Sequence, residues 1–497
     1  MKALRWLTLP RLVAMIAVLG AFAIAFRAPV DTDMYWHLRA GQWQVDHRAV
    51  LTADVFSSTR AGQHWVDVHW LSQVALYGAY ALAGNLGLSL FTAILASAGM
   101  LLIYLTCDGD ALIKAAVTLL AASTAAVFWA PRSQMTSFLF SAAVVCLLWL
   151  YQKKGIDRLW VIPIIMIPWA NSHGGFAIGF ILLALALIGE LASAALGFLA
   201  ALHDHRQPDP AALRPALRLA VIGVVSAAAV VINPFGIETL LLPFRTVGIG
   251  VLRDFIQEWA APNFHMTSVW PFAVMLVGTF GCAGLSSRRL DVRDAVMLVG
   301  TAVSALLAGR NIAIFALAAA PILALHLDSF LADQHVALNT GRVQARGVFL
   351  AANWLLLALI VFGVGLRMAV ELSPARLDKA RRDLLPVDAV AYLEREHPAG
   401  PLFNSYNWGG YLIWQARDYP VFVDGRTDLY DDVFIRDYLA TYTAQPGWSD
   451  RLDKAGINSV LVETASPLAQ VLAISPGWTK AYADQLAVVY VRSTVKP

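Results

Sequence analysis

Charge is what this sequence has least of. Of its 497 residues, 14% are Asp, Glu, Lys or Arg and 58% are hydrophobic. Ordinary soluble domains carry about 25% charge and about 45–50% apolar residues. A purely soluble enzyme, a disordered chain and a collagen are therefore excluded, and a polytopic membrane protein remains. Cysteine is scarce as well. Cys107, Cys146 and Cys282 all lie in or beside apolar segments, and none has C-x-x-C spacing. That excludes a disulfide framework and a cysteine metal site. The net charge of +3 is too small for a nucleic-acid partner, and the basic residues sit in short loops. There is no Walker loop, dinucleotide fingerprint, G-x-S-x-G, H-E-x-x-H or usable serine triad, and no internal repeat.

What the sequence does have is long apolar runs. A helix needs about 20 apolar residues to cross the hydrocarbon core. Eleven candidate spans are read at 12–30, 85–107, 113–130, 136–151, 159–171, 175–202, 216–233, 268–286, 293–308, 310–327 and 347–370. The run 159–171 is short for a full crossing and reads as tilted or partly re-entrant. The first run has a basic start (Lys2, Arg5, Arg11) and an AFA triplet, as a signal peptide would. An apolar bundle follows at once, so the run reads as a retained span.

Lys and Arg in the loops give the orientation. With the N-terminus cytoplasmic, fifteen basic residues fall on the cytoplasmic side, including Lys153, Lys154, Arg288, Arg289, Arg342 and Arg346. Eight fall on the other side: Arg27, Arg39, Arg48, Arg60, Arg132, Arg245, Arg253 and Arg310. An odd number of spans then puts the C-terminal segment outside. The expected fold is a polytopic α-helical membrane protein with a C-terminal exported α/β domain. Residues 1–372 form the membrane part, with a long first exported loop at 31–84, and residues 373–497 form the second domain. There charges become frequent. Short β-type runs (Val421–Val423, Ser459–Val462, Ala487–Val491) alternate with helical patterns at Pro386–His397 and Val433–Thr441.

The polar motifs share one side of the membrane. The loop 31–84 reads DTDMYWHLRAGQW and then TADVFSSTRAGQHWVDVHWLSQ. It offers Asp31, Asp33, His37, Asp54, Asp67, His69 and Gln73. Its tryptophans, Trp36, Trp43, Trp65 and Trp70, suit the headgroup zone, so the loop is expected to lie along the membrane surface with one or two interfacial helices. A lone D-x-D is ordinarily a pair of solvated loop carboxylates. Here it sits at the mouth of a bundle before an aromatic-rich amphipathic run, which favours function. The other outward turns carry PRSQ (Arg132, Gln134), NSHGG (Asn171, His173), NPFG (233–236) with Glu258 beyond it, and GRN (Arg310, Asn311). Ionisable groups near membrane depth are costly unless they face a cavity or a partner. Basic groups converging on one face suggest a bound phosphate or pyrophosphate, because arginine forks bind phosphate oxygens. Taken singly, Arg132 and Arg310 would only snorkel to lipid headgroups. In the C-terminal segment, FNSYNWGGYLIW and VFVDGRTDLY stand out. Asp424 and Arg426 follow a strand-like run, as binding groups do in α/β folds, or else form a structural pair that locks a turn or docks the domain.

These residues resemble a known superfamily. A first span ending in an outward acidic motif (DTD at 31–33), a long first exported loop, and about eleven spans before an exported domain are similar to the GT-C glycosyltransferases. The likeness is to the protein O-mannosyltransferase, aminoarabinose transferase and oligosaccharyltransferase group, including its uncharacterised bacterial branch. The resemblance implies a polyprenyl-phosphate-linked sugar as donor. One carboxylate of Asp31 and Asp33 would act as general base on an acceptor hydroxyl, and the sugar would transfer with inversion. By their position in the outward turns, and not by a matched family motif, Arg132, His173 and Arg310 are the candidates to stabilise the departing lipid phosphate. His37, Asp67, His69, Gln134, Asn171 and Asn311 would complete the substrate site, with Asp424 and Arg426 contributed by the exported domain. Some relatives use a divalent cation. Asp31, Asp33 and Asp67 would then serve as oxygen ligands for Mg²⁺ or Mn²⁺. The expected partners are the lipid-linked sugar, membrane lipid and a glycan, lipid or protein acceptor, at an inner or plasma membrane. The exported segment lacks the WWDYG signature of the oligosaccharyltransferases, and WGGY at 408–411 does not replace it, which argues against a peptide acceptor. Two other classes fit the composition. One is a transporter or flippase of an anionic lipid or solute, for which mid-membrane charges and half-repeats would be expected. The other is a non-catalytic scaffold of the same layout.

Overall fold

A computed structural model describes residues 6–248, 250, 257–336, 338, 340 and 347–493. Lys2, Arg5, Arg253, Arg342 and Arg346 lie outside the described residues. The chain opens with α1 (Leu9–Ala25) and α2 (Met34–His47), followed by α3 (Trp70–Thr106), α4 (Ala111–Ala125) and α5 (Gln134–Lys154). Next come α6 (Val161–Ala170), α7 (Ala177–His203), α8 (Arg214–Val230) and α9 (Ile237–Val247). The helical region ends with α10 (Trp270–Leu285), α11 (Val292–Leu307), α12 (Ile312–Asp333) and α13 (Val348–Glu371). Each of the eleven expected spans coincides with one of these helices. Seven helical stretches among the described residues are long and apolar enough to cross a membrane. α1, α4 and α6 are shorter apolar helices, and α11 has only sixteen residues. α12 runs through the middle of the bundle, with Ile312–Ala324 almost wholly buried.

α3 is two helices in sequence. Gly84 adopts φ 57°, ψ −135° within it, a conformation that costs a residue with a Cβ and is natural for glycine. The bend separates Trp70–Ala83, which packs on α2, from the membrane stretch that begins where the span 85–107 was expected.

Beyond α13 come α14 (Pro374–Leu384), α15 (Val387–Glu396), β1 (Leu402–Asn404), α16 (Gly409–Gln415), α17 (Asp432–Tyr442) and α18 (Trp448–Lys454). The chain closes with β2 (Ser459–Glu463), α19 (Pro467–Leu472), β3 (Trp478–Ala483) and β4 (Ala487–Arg492). The sheet order is β1-β2-β4-β3, with β1 and β2 parallel and the other pairs antiparallel. Ser459–Val462 and Ala487–Val491 are strands as expected. Val421–Val423 is not in the sheet. It runs beside the first loop, where Ser57 bridges Val421 and the backbone N–H of Val421 donates to Phe56 O.

Two large apolar cores follow from these contacts. One fills the helix bundle. The other joins α2, Trp65 and Leu76 to the interior of the C-terminal segment, including Phe403, Tyr411, Val423 and Val460. Trp36 and Trp65 are thus buried between the loop and the C-terminal segment, not placed at a headgroup surface. The reason is competition: a folded apolar face offers an indole more complete burial than an interface does. Gly410 lets the two parts close, since a Cβ there would stand 2.4 Å from Thr32 O.

Candidate active site

The first acidic motif is held by the start of α2. Asp31 Oδ1 accepts the backbone N–H groups of Asp33 (2.9 Å) and Met34 (3.1 Å), satisfying helix donors that otherwise have no partner. Arg132, in the turn between α4 and α5, reaches across to this motif. Its Nη1 donates to Asp33 Oδ2 at 2.6 Å, its Nε lies 3.3 Å from Asp31 Oδ1, and its Nη2 donates to Glu258 Oε1 at 2.5 Å. Every nitrogen of the guanidinium therefore faces a carboxylate. Burial opposes the charge of Arg132, and Asp31, Glu258 and Asp33 outweigh it, so the arginine is held firmly protonated. Burial also pushes the Asp33 carboxyl up to about 6, with Arg132 pulling the other way. For Glu258 burial again disfavours the charge, but Arg132 wins and its carboxyl stays below the usual range.

Arg310 approaches the same space from the turn before α12. Its guanidinium lies 4.3 Å over the ring of Trp259, and the backbone N–H of Gly309 ties the two turns together through Ala260 O (2.9 Å). Among the described residues Arg310 makes no ion pair. Next to it stand three imidazoles. The rings of His37 and His69 are 5.3 Å apart, and those of His69 and His173 5.4 Å. Burial holds His37 and His173 well below the ordinary histidine value, with His69 and the nearby arginines adding to the effect.

These groups line one cavity of about 1030 Å³. Asp31, Asp33, His37, His69, Arg132, Gln134, His173, Arg310 and Asn311 all reach it. Gln134 and Asn311 spend their amide nitrogens on Phe128 O and Ser304 O, fixing the turns that carry the arginines. Four expected site residues lie elsewhere. Asn171 donates to Ile167 O and Ile232 O and accepts from Trp70 Nε1, so it staples α6, the turn after α8 and α3 beside a separate shallow hollow. Asp67 is enclosed by the amides of Gln44 and Gln73 and reaches the cavity only through His69. Arg426 is fully buried, forked onto Asp424 at 2.8 and 2.7 Å and bonded to Asp54 at 2.5 Å. It lies between the faces of Phe56 and Trp65. Asp424 and Arg426 therefore lock the first loop to the C-terminal segment. Of the three carboxylates expected to bind Mg²⁺ or Mn²⁺, Asp31 and Asp33 both face Arg132 and Asp67 is enclosed by Gln44 and Gln73. Among the described residues no group of three His, Cys, Asp or Glu side chains could hold a metal ion.

Neither a family model nor a curated protein matches the sequence. Solved structures do match the fold. The oligosaccharyltransferase of Archaeoglobus fulgidus, tethered to an acceptor peptide, aligns with a TM-score of 0.54 at 14% identity, over 97% of this chain and 74% of that one. ArnT from Cupriavidus metallidurans, bound to undecaprenyl phosphate, aligns with a TM-score of 0.52 at 14% identity, over 97% and 98%. Its apo form gives the same score and identity over 96% of both chains. The chain has the GT-C fold. Within this fold the cavity lies between one end of the helix bundle and the C-terminal segment, which supplies a wall that includes Tyr406, Asn407, Thr427, Asp428 and Tyr438.

Trp259, Tyr438 and Tyr442 were not singled out from sequence, since no motif surrounds them. Glu258 was read only as one more polar group beyond NPFG, and Asp428 was read with Asp424 and Arg426 in the VDGRTDLY run. Only the fold tells that Asp428 faces the cavity while Asp424 faces Arg426. It accepts Trp65 Nε1 at 3.0 Å, and burial pushes its carboxyl up.

Proposed function

We propose that this chain transfers a sugar from a polyprenyl-phosphate-linked donor to an acceptor hydroxyl at the extracytoplasmic face of the membrane, with inversion at the anomeric carbon. The observation that carries the reading is the mixed lining of this cavity. Arg132 and Arg310 supply cations, Ile178, Ile181, Leu242, Ile435 and Leu439 supply apolar surface, and Ser405, Asn407 and Thr427 supply polar groups. A lipid phosphate with an apolar tail and a polar head matches that combination. The ArnT structure with undecaprenyl phosphate and the archaeal enzyme with a tethered acceptor support a lipid-linked donor and a separate acceptor. The excess of Lys and Arg in alternate loops supports an inward N-terminus and an outward cavity.

In the transfer, the acceptor oxygen attacks the anomeric carbon and the bond to the phosphate oxygen breaks. The electron pair leaves with the phosphate. Arg310 and Arg132 face that growing charge in a partly dry site, where fixed donors act strongly. The two aspartates once expected to act directly as base are both in contact with Arg132 and set its position.

The test is a titration of undecaprenyl phosphate into the purified protein in nanodiscs, followed by tryptophan fluorescence, since Trp36 and Trp259 line the cavity. A charge-assisted hydrogen bond contributes about 1.5–3 kcal/mol, so Arg310→Gln should weaken binding by about 10–100-fold. Lys114→Gln, at the far end of the bundle, should leave it unchanged. Equal affinity in the wild type and Arg310→Gln would sink the donor assignment.

A further inference from the structure

The three imidazoles of the cavity are not equivalent, and their hydrogen bonds say which one can accept a proton. The side chain of Gln73 is fixed in orientation. Its Oε1 accepts from Gln44 Nε2 (2.6 Å) and its Nε2 donates to Asp67 Oδ1 (3.0 Å). The same Nε2 faces His37 Nδ1 at 3.5 Å. That ring nitrogen therefore carries a lone pair, and the proton sits on Nε2, directed to Ser133 Oγ at 3.2 Å. In His173 the backbone N–H of Gly175 donates to Nδ1 at 3.0 Å, and Ser137 Oγ lies 2.7 Å from the same atom. Its proton also sits on Nε2. Both rings are neutral donors at Nε2.

His69 differs. Its Nδ1 lies 3.4 Å from Asp67 Oδ1, and the carboxylate beside it favours the tautomer with the proton on Nδ1. Its Nε2, with the lone pair, makes no hydrogen bond among the described residues, and the residue lines the cavity. The Asp67–His69 contact is out of line for a full hydrogen bond; catalytic hydrogen bonds are often loose before substrate binds. Asp67 itself is 0% exposed and pairs with no Lys or Arg among the described residues. Two glutamine amides and the backbone N–H of His69 hold it. A buried carboxylate with no cation beside it is costly, and here its charge is directed at one imidazole. His69 is also faced by Trp36 and His37 from α2, by His173 from the turn before α7 and by Asp428 from the C-terminal segment.

We infer that His69 is the base that takes the acceptor proton, with Asp67 as its positioning residue. This rests on the transfer reading above. The acceptor O–H gives its proton to His69 Nε2 as its oxygen bonds to the anomeric carbon. The phosphate departs with the electron pair of the broken bond, and the proton passes afterwards to water in the cavity. Asp67 orients the ring and balances the imidazolium. Asp33 Oδ2 accepts from Arg132 at 2.6 Å, whereas His69 Nε2 makes no hydrogen bond among the described residues.

Two measurements test this. First, undecaprenyl-phosphate-linked hexoses and pentoses are supplied singly to the nanodisc-embedded protein with envelope extract from cells lacking it, and released undecaprenyl phosphate is counted. His69→Ala should lower turnover by about 100-fold or more with undecaprenyl phosphate affinity retained, and added imidazole should restore part of it. Asp67→Asn should lower turnover and leave binding intact. Turnover retained in His69→Ala, or lost there without rescue by imidazole, overturns the assignment. Second, diethyl pyrocarbonate attacks a free imidazole lone pair. In the wild type it should label His69 and spare His37 and His173, and the opposite pattern overturns the assignment with no turnover needed. Selective labelling of His69 in a wild type that transfers no sugar would leave the proton acceptor standing and sink the transfer reading instead.

Discussion

Arg132 is surrounded more completely than a phosphate-binding arginine should be. Asp31, Asp33 and Glu258 together occupy all three of its nitrogens, so an incoming phosphate must displace one of them. Asp31 is bound to the N-terminus of α2 and Asp33 lies beside it, leaving Glu258, whose side chain is 48% exposed, as the one free to give way. Glu258→Gln should therefore tighten undecaprenyl phosphate binding several-fold in the same titration, by removing a competing anion. Weaker binding would mean that Glu258 serves to aim Arg132. Asp33 gives a second prediction at this scale. Its carboxyl is raised from 3.8 to about 6, so the folded chain binds a proton there that the unfolded chain has already lost. Stability from this group is present below the unfolded value and is lost as the pH rises through 6. Asp33→Asn should raise the thermal midpoint in detergent at pH 7.5, with the gain fading toward pH 4. A constant difference across that range would mean that pairing with Arg132, not burial, dominates.

At the scale of elements, the first loop acts as a clamp. Arg426 forks onto Asp424, bonds Asp54 and fills the gap between Phe56 and Trp65. Thr59 and Ser58 donate to the carbonyls of Phe422 and Val421. Breaking one partner of a buried pair costs about 3–5 kcal/mol. Asp54→Asn should accordingly lower the thermal midpoint markedly, while Arg60→Gln, at an exposed pair with Asp431, should barely move it. Equal effects would remove the clamp. The same contrast shows what sequence could and could not reveal. All eleven apolar helices were legible, because hydropathy over twenty residues is a signal that needs no tertiary context. The convergence of Asp33, Arg132, His173 and Arg310 was legible from their common side. The role of Arg426 was not, since a DGR turn reads alike whether it faces a ligand or a lock. Val421–Val423 has a strand's composition but pairs with a loop, because the first loop, not the sheet, lies next to it. Asp67 was read as a substrate or metal group of the first loop; only the fold shows the closed box of Gln44 and Gln73 around it and the histidine at its opening.

The whole molecule is organised by where its second core lies. The C-terminal segment does not bury its apolar surface by itself. Tyr35 packs edge-on against Tyr411 at 5.1 Å and Tyr80 against Trp414 at 5.5 Å, while Met34, Trp36, Leu38 and Trp65 complete the same cluster. Glycine makes the contact close: a Cβ on Gly425 would fall 2.0 Å from Asp33 Oδ1, and one on Gly410 2.4 Å from Thr32 O. The cavity is the space left at this seam, so whatever seats the C-terminal segment also sets the distance between Arg132 and the wall that carries Asp428. Two expectations follow from one cause. Residues 374–493 expressed alone should expose an aromatic patch and aggregate or bind a hydrophobic dye, whereas the same segment fused to residues 31–69 should recover solubility. Gly410→Ala in the full chain should push the seam open, and because the bundle core is separate, the protein should stay helical by circular dichroism while His69 becomes more reactive to diethyl pyrocarbonate. A soluble, compact 374–493 fragment, or an unchanged rate of labelling in Gly410→Ala, would show that the segment is an independent domain and that the cavity does not depend on the seam.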